Sequence, residues 1–320
     1  MKKRILSAVL VCAMFAMMLT GCGKKKTNDL TMAFCTWTGY SPMFIALEKG
    51  YFSEAGINMT IQVVEDESTY TSLITNGSVQ FLATAQDPNI KMYANGADSR
   101  YLLTMDSSCG ADALVATADI NSLDDLAGKT VALDKSASSY YFFLRALEQD
   151  SSLTEDDIDV LDMGDTTEAG LAFMAGNVDA AIMWEPELSE AIDSVDGAHA
   201  VISSADYPNT IMDSLVVNTK FAKENPDAVK AVTEAWYKAV DFLNENPDEA
   251  YELMASGFEE VTAEDIAADC EGLEIYGRAE NESLVNSGEI RTICQDMADF
   301  WYDKSECDTN DLTAYFELMK

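Results

Sequence analysis

Two stretches of the sequence end an apolar run on the same device. "GSVQFLATAQDPN" (77–89) and "GNVDAAIMWEPEL" (176–188) each pass from Gly-x-Val through small and apolar residues to an acid followed by proline. The first places Gln86 and Asp87 at the end of its run, the second Trp184 and Glu185. A carboxylate beside a flat ring suits non-covalent recognition: the ring offers a stacking face and the acid accepts N–H hydrogens. A desolvated cation over such a face gains roughly 0.5–2 kcal/mol. Similar chemistry recurs at other turns. "CTWTGYSP" (35–42) offers Trp37, Thr38 and Tyr40, and "SSCG" (107–110) offers Ser107 and Ser108. "DKSASSYY" (134–141) sets Ser136, Ser138 and Ser139 around the first turn of a helix, with Tyr140 as a further ring. Free N–H groups at such a terminus attract an anion or a carbonyl oxygen, worth roughly 0.3–1 kcal/mol. These residues are the candidate ligand contacts. The plain alternative is capping: Asp87 before Pro88 and Glu185 before Pro186 both make good helix starts, and Glu187 reads as a solvated first-turn acid.

Covalent chemistry finds no comparable support. His199 is the sole histidine and begins an apolar strand. GxSxG, P-loop and HExxH motifs are absent. No CxxC pair suggests zinc. No catalytic residue, metal or cofactor is expected, and the chain is read as a binder rather than an enzyme. A hydrolase remains the alternative, since an acid pair can hide among many acids.

The positioning elements alternate. Strand patterns at 30–37, 57–64, 79–85, 99–105, 112–118, 129–134, 158–163, 178–183 and 198–204 are separated by helices of about ten residues. This is an α/β pattern with mostly parallel sheets, and turns at strand ends are where such folds bind ligands. From 220 the pattern becomes helical, with Asn225-Pro226 and Asn246-Pro247 as helix starts and helices and loops to the end.

Composition sets the compartment and the partners. Asp and Glu number 56 against 20 Lys and Arg, a net charge of −36 over 320 residues. Such a chain repels nucleic acid and anionic membrane surfaces. The basic start Met1–Arg4, the apolar run to Leu19 and "LTGC" (19–22) resemble a bacterial lipoprotein signal. That resemblance implies cleavage after residue 21 and lipid, palmitate included, on Cys22. Residues 22–29 then form a tether to the cell membrane, outside the cytoplasm. Cys35, Cys109, Cys270, Cys294 and Cys307 remain, an odd set that leaves at least one without an internal partner. The arginines beyond the signal, Arg100, Arg145, Arg278 and Arg291, stand outside the candidate loops. The site therefore tilts from a strongly anionic ligand toward a heterocyclic or aminated one, with Trp37 and Trp184 sandwiching a planar ring.

Four segments carry a family resemblance: "GYSPMFIALEKGYFSEAGINMTI" (39–61), "SLDDLAGKTVAL" (122–133), "GNVDAAIMWEP" (176–186) and "VVNTKFAKENPDAV" (216–229). With their intervals they resemble the solute-binding proteins of ABC importers of the nitrate/sulfonate/taurine and thiamine-precursor type. The resemblance implies a two-lobed periplasmic-binding-protein type II fold with a helical C-terminal pack. Lobe 1 would hold 30–116 and 214–320, and lobe 2 would hold 117–213. The crossings would fall near Ala116–Ala118 and Asp213–Leu215. It implies a monomer that captures a small organic solute and passes it to a membrane permease. Two alternatives stay open: an enzyme of the same fold, of hydrolase or pyrimidine-synthase type, and a sensory lipoprotein without a transporter.

Overall fold

The computed structural model of the protein describes residues 28–259 and 261–319. The expected signal 1–21 and lipidated Cys22 lie outside them. The first sheet opens with β1 (Asn28–Phe34), β2 (Ile57–Val63), β3 (Phe81–Ala85) and β4 (Ser99–Ser108). The second holds β5 (Asp112–Ala116), β6 (Thr130–Leu133), β7 (Asp159–Asp162), β8 (Ala180–Trp184) and β9 (His199–Ser203). The chain then returns to the first sheet with β10 (Met212–Asn218) and β11 (Leu273–Ile275). The orders are β11-β4-β10-β3-β1-β2 and β7-β6-β8-β5-β9. This is the expected α/β architecture of two lobes, and most elements fall within a few residues of their expected places.

Three expectations are corrected. β1 begins at Asn28, so the last residues assigned to the tether belong to the sheet, where Asp29 pairs in register with Asn58 and accepts from its Nδ2 at 2.9 Å. β5 pairs with β8 and β9 in the second sheet, so the first crossing lies at Cys109–Ala111 rather than at 116–118. Asp213–Leu215 is no crossing: it lies within β10, between β3 and β4 and antiparallel to both, and the return crossing lies at 204–211. These insertions make both sheets mixed, since β5 is likewise antiparallel to both its neighbours. The sequence reads β10 as a crossing and β11 as part of the helical region because each strand returns to a sheet begun long before, and periodicity carries no trace of that pairing.

Local chemistry explains the helices that frame the site. The apolar stretch 41–52 is not one helix: Gly50 takes φ 76°, ending Pro42–Glu48 and starting Tyr51–Glu54. Pro226 and Pro247 each sit in the first turn of their helices, as expected. Helix Pro226–Glu245 buries Trp236 completely, and the indole Nε1 donates to Tyr276 O at 2.9 Å. Losing a buried tryptophan of this kind costs about 3–5 kcal/mol. Helix Glu289–Asp303, expected with lobe 1, also leans on lobe 2: Phe300 meets Tyr141 edge-on at 5.1 Å and Trp301 lies 5.7 Å from Tyr140. All five cysteines of the described residues are unpaired, and Cys109 is exposed.

Candidate functional site

A small cavity of about 20 Å³ lies where the lobes meet. Lobe 1 contributes Cys35, Trp37, Tyr40, Glu67, Ala85 and Asp213, and lobe 2 contributes Asp112, Ser138 and Trp184. Ile211, from the return crossing, also lines it. Each polar member comes from a strand end or the turn beyond it. β1 delivers Cys35 and Trp37, then a single turn of tight helix, Thr38–Tyr40, folds Tyr40 inward. β8 ends on Trp184, and the helix at Ser138 follows β6.

The aromatic wall differs from the expected sandwich. Trp37 and Trp184 touch edge to face, with centroids 6.2 Å apart and planes at 77°. They form one continuous surface, one ring from each lobe.

Facing it is a set of acids that owe their state to burial. The Trp37 indole Nε1 donates to Asp106 Oδ1 at 3.1 Å, and Tyr40 donates its hydroxyl to Asp213 Oδ1. Asp106 and Asp213 are directly opposed on β4 and β10, and both are buried. Burial and mutual repulsion accordingly push Asp106 well up, and burial raises Asp213. Burial pushes Asp112 up to about 7, and its Oδ2 has no partner. Glu67 is half-buried as a residue, but its carboxyl is held inside by Cys35 Sγ at 3.4 Å and Thr84 Oγ1 at 3.0 Å. Desolvation pushes it up to about 8. Burial and the neighbouring acids Glu67 and Glu65 raise the Cys35 thiol well above its ordinary value, so it is protonated and unreactive. No lysine or arginine lines the cavity.

Of the residues expected at the site, Trp37, Tyr40, Ser138 and Trp184 line the cavity. The others lie off its surface, and all but Asp87 make hydrogen bonds elsewhere. Thr38 donates to Asp269 Oδ2 at 2.6 Å. Gln86 Nε2 donates to Tyr315 at 2.9 Å, and Asp87 is buried beside Trp301. Ser107 and Ser108 bond across to the return crossing, at Ile211 O and Ser204 Oγ. Ser136 donates to Asp134 Oδ1 and Ser139 to Asp134 O, while Tyr140 donates to Glu155 at 2.8 Å. Glu185 caps its own helix by accepting from Ser189 N and Oγ, which favours the capping reading. The missed residues are the acids. Asp106 and Asp213 each sit in the tripeptide Met-Asp-Ser, at 105–107 and 212–214, an acid inside an apolar strand repeated twice. That repetition was the available signal.

The geometry has counterparts among known proteins. The family model described as NMT1/THI5 like matches residues 37–250. A putative aliphatic sulfonates-binding protein of Bacillus subtilis (strain 168) is 28% identical over 80% of this chain and 78% of its own. The solved alkanesulfonate-binding protein SsuA from Xanthomonas axonopodis pv. citri, bound to MOPS, superposes with a TM-score of 0.71 at 17% identity, covering 89% of this chain and 96% of its own. The desulfurization enzyme DSZB superposes with a TM-score of 0.67 at 15% identity, covering 91% and 96%. Both structural likenesses speak for the fold alone.

Proposed function

We propose, on the premise that the chain belongs to the NMT1/THI5-like family, that it captures a small organic solute between its lobes and hands it to an ABC importer in the membrane. One observation carries this reading: the cavity has a wall from each sheet, and the chain passes between the lobes at the short crossings 109–111 and 204–211. Contacts to both walls stabilise the closed arrangement over the open one, so binding and closure are a single equilibrium. Lobe 1 would run to Ser108 and resume at Met212, with lobe 2 between. Cys22 would anchor the protein at the outer face of the membrane, and one copy would suffice for capture. The likeness to a putative aliphatic sulfonates-binding protein supports a small polar organic as the solute.

The enzyme reading gains nothing from Cys35, since a nucleophilic cysteine needs a lowered pKa and this one is raised. A thermal-shift screen tests the proposal with taurine, alkanesulfonates, nitrate, thiamine precursors, riboflavin and aromatic amines. At least one class should raise the midpoint by mass action, with the compound recovered unchanged by chromatography. Turnover of a bound compound, or no shift with any class, overturns it. Mass spectrometry of the mature amino terminus tests the anchor at Cys22.

A further inference from the structure

We propose that helix Glu289–Asp303 is a strap: carried by lobe 1, it grips the face of helix Ser138–Asp150 in lobe 2 that is turned away from the return crossing, and it sets how often the cleft opens. The inference rests on the solute-binding reading above and names what regulates access to that site. A cavity of about 20 Å³ holds a water but no organic solute, so the lobes must part before a solute enters. Contacts that join the lobes beyond the two crossings therefore control entry.

Tyr141, Arg145 and Glu148 follow one another at spacings of four and three, so they share one face of helix Ser138–Asp150. Each meets the carboxyl-terminal end of the strap. Tyr141 meets Phe300 edge-on with centroids 5.1 Å apart, and Trp301 at 5.8 Å. The Arg145 guanidinium lies 5.4 Å from the centroid of Phe300. Glu148 Oε1 stands 3.9 Å from Lys304 Nζ, the one ion pair between the lobes among the described residues. Phe142 and Asp150, on another face, hold Tyr207 of the return crossing instead. The Phe142 and Tyr207 rings lie 5.7 Å apart, and Asp150 accepts the Tyr207 hydroxyl at 2.8 Å. The lobe 2 helix is thus held by the crossing, which is part of the same lobe-to-lobe chain, and by the strap, which is free to let go.

Lobe 1 keeps its own end of the strap. Trp301 is buried, and Lys91 Nζ lies 4.1 Å above its ring. Asn95, one turn beyond Lys91, donates to Glu306 O at 2.8 Å and accepts from Asp308 N at 3.0 Å. The strap therefore moves with lobe 1, and opening separates Phe300 from Tyr141. Net charge works against closure: lobe 2 carries 20 acids and three bases from Asp112 to Ser203, and the chain as a whole has a net charge of −36, so the lobes repel. The aromatic contact offsets that repulsion. Trp37 and Trp184 also touch across the lobes, but at the cavity, where a solute can change their contact; the strap lies outside the cavity and acts with or without a solute.

The test is the rate at which iodoacetamide alkylates Cys35 in the purified protein with no solute added, read peptide by peptide by mass spectrometry. Cys35 lines the cavity and is 4% exposed, so it reacts when the lobes part. Cys294 is fully buried away from the cavity and reacts on unfolding. When opening is fast against alkylation, the rate follows the open population. Phe300→Ala and Tyr141→Ala should each speed Cys35 about tenfold and leave Cys294 unchanged. Tyr141→Phe, which keeps the ring, should match the parent. The double alanine variant should fall short of the product of the two single effects, since both remove the same contact. Unchanged Cys35 rates, or a full product in the double variant, overturn the strap. Rates for Cys35 and Cys294 that rise in parallel in both single variants mark unfolding and overturn it too. The strap and the solute-binding reading fail separately: these rates need no solute, and failure of every compound in the wider screen overturns that reading while the rates stand.

Discussion

The carboxyl group of Asp106 occupies the space that a side chain at Gly39 would need. A β-carbon on Gly39 would lie 2.1 Å from Asp106 Oδ2 and 2.3 Å from its Cγ. The turn after β1 can therefore press against the acid pair only with glycine at this position. The requirement is one of space, since Gly39 does not take a left-handed backbone.

Gly39→Ala forces either the turn or Asp106 to move. Overpacking of this kind costs typically about 1–3 kcal/mol. The midpoint of chemical unfolding should fall accordingly. Ligand affinity should fall as well, because Trp37 and Tyr40, on either side of Gly39, are displaced from the cavity. Unchanged stability and unchanged affinity together would show that the contact is slack.

Trp184→Ala separates binding from folding. The ring is half-buried and meets Trp37 edge to face across the lobes. An aromatic pair of this kind is worth about 0.5–1.5 kcal/mol beyond its burial. The variant should remain folded by circular dichroism. It should bind the best compound of the screen at least about tenfold more weakly, as expected for a central aromatic contact. Unchanged affinity would remove Trp184 from the binding surface.

Glu67 makes stability depend on pH in a defined direction. Its carboxyl ionises near 4.5 when free and near 8 in the fold, because burial disfavours the charge. Between those values the unfolded chain holds fewer protons than the folded one, so stability falls as pH rises from about 4.5 to about 8 and then levels off. Asp112, pushed up to about 7 by burial, adds a fall of the same sign. Glu67→Gln should remove its share. The variant should match the parent near pH 4 and exceed it near pH 9 by on the order of 2 kcal/mol. Urea midpoints at the two pH values check this, and parallel curves would refute it.

The helices at the carboxyl end guard the first sheet. Asn281 is buried, its Oδ1 accepts from Thr104 N at 2.9 Å, and its Nδ2 donates to Thr104 O at 2.9 Å. The side chain thus replaces a neighbouring strand at the outer edge of β4. Asn281→Leu preserves bulk but strands a buried N–H and C=O, at about 1–3 kcal/mol each. Chemical unfolding should show a loss of about 3 kcal/mol. A loss below about 1 kcal/mol would mean that water takes over both bonds.

What could be read from the sequence followed from what local chemistry controls. Strand and helix periods, the prolines at 226 and 247, and the strand ends at Trp37 and Trp184 depend on neighbours a few residues away. The acid pair depends on β10 entering between β3 and β4, a pairing across more than a hundred residues. Asp213 looked like a crossing residue for that reason. Gln86 and Glu185 carry the right chemistry at the right strand ends, but each is claimed by a nearer partner, Tyr315 or Ser189, and Asp87 is buried away from the cavity. A residue type indicates what a side chain can bind. Only the packed neighbours decide whether it is still free to do so.

Ser204 links the two crossings. Its hydroxyl pairs with Ser108 Oγ at 2.7 Å and accepts from Gly110 N at 2.7 Å, while Ser108 N donates to Ile211 O at 3.0 Å. Two strips of chain laced in this way resist sliding past each other, and bending in common is their softest motion. The gap between the lobes is then governed by a single angle, like a book on a stitched spine, and a solute that engages either page lowers the cost of closing the other. Ser204→Ala cuts the lacing. Distances between spin labels on the two lobes should spread from one narrow distribution to a broad one, and an unchanged width would show that each strip sets the angle alone.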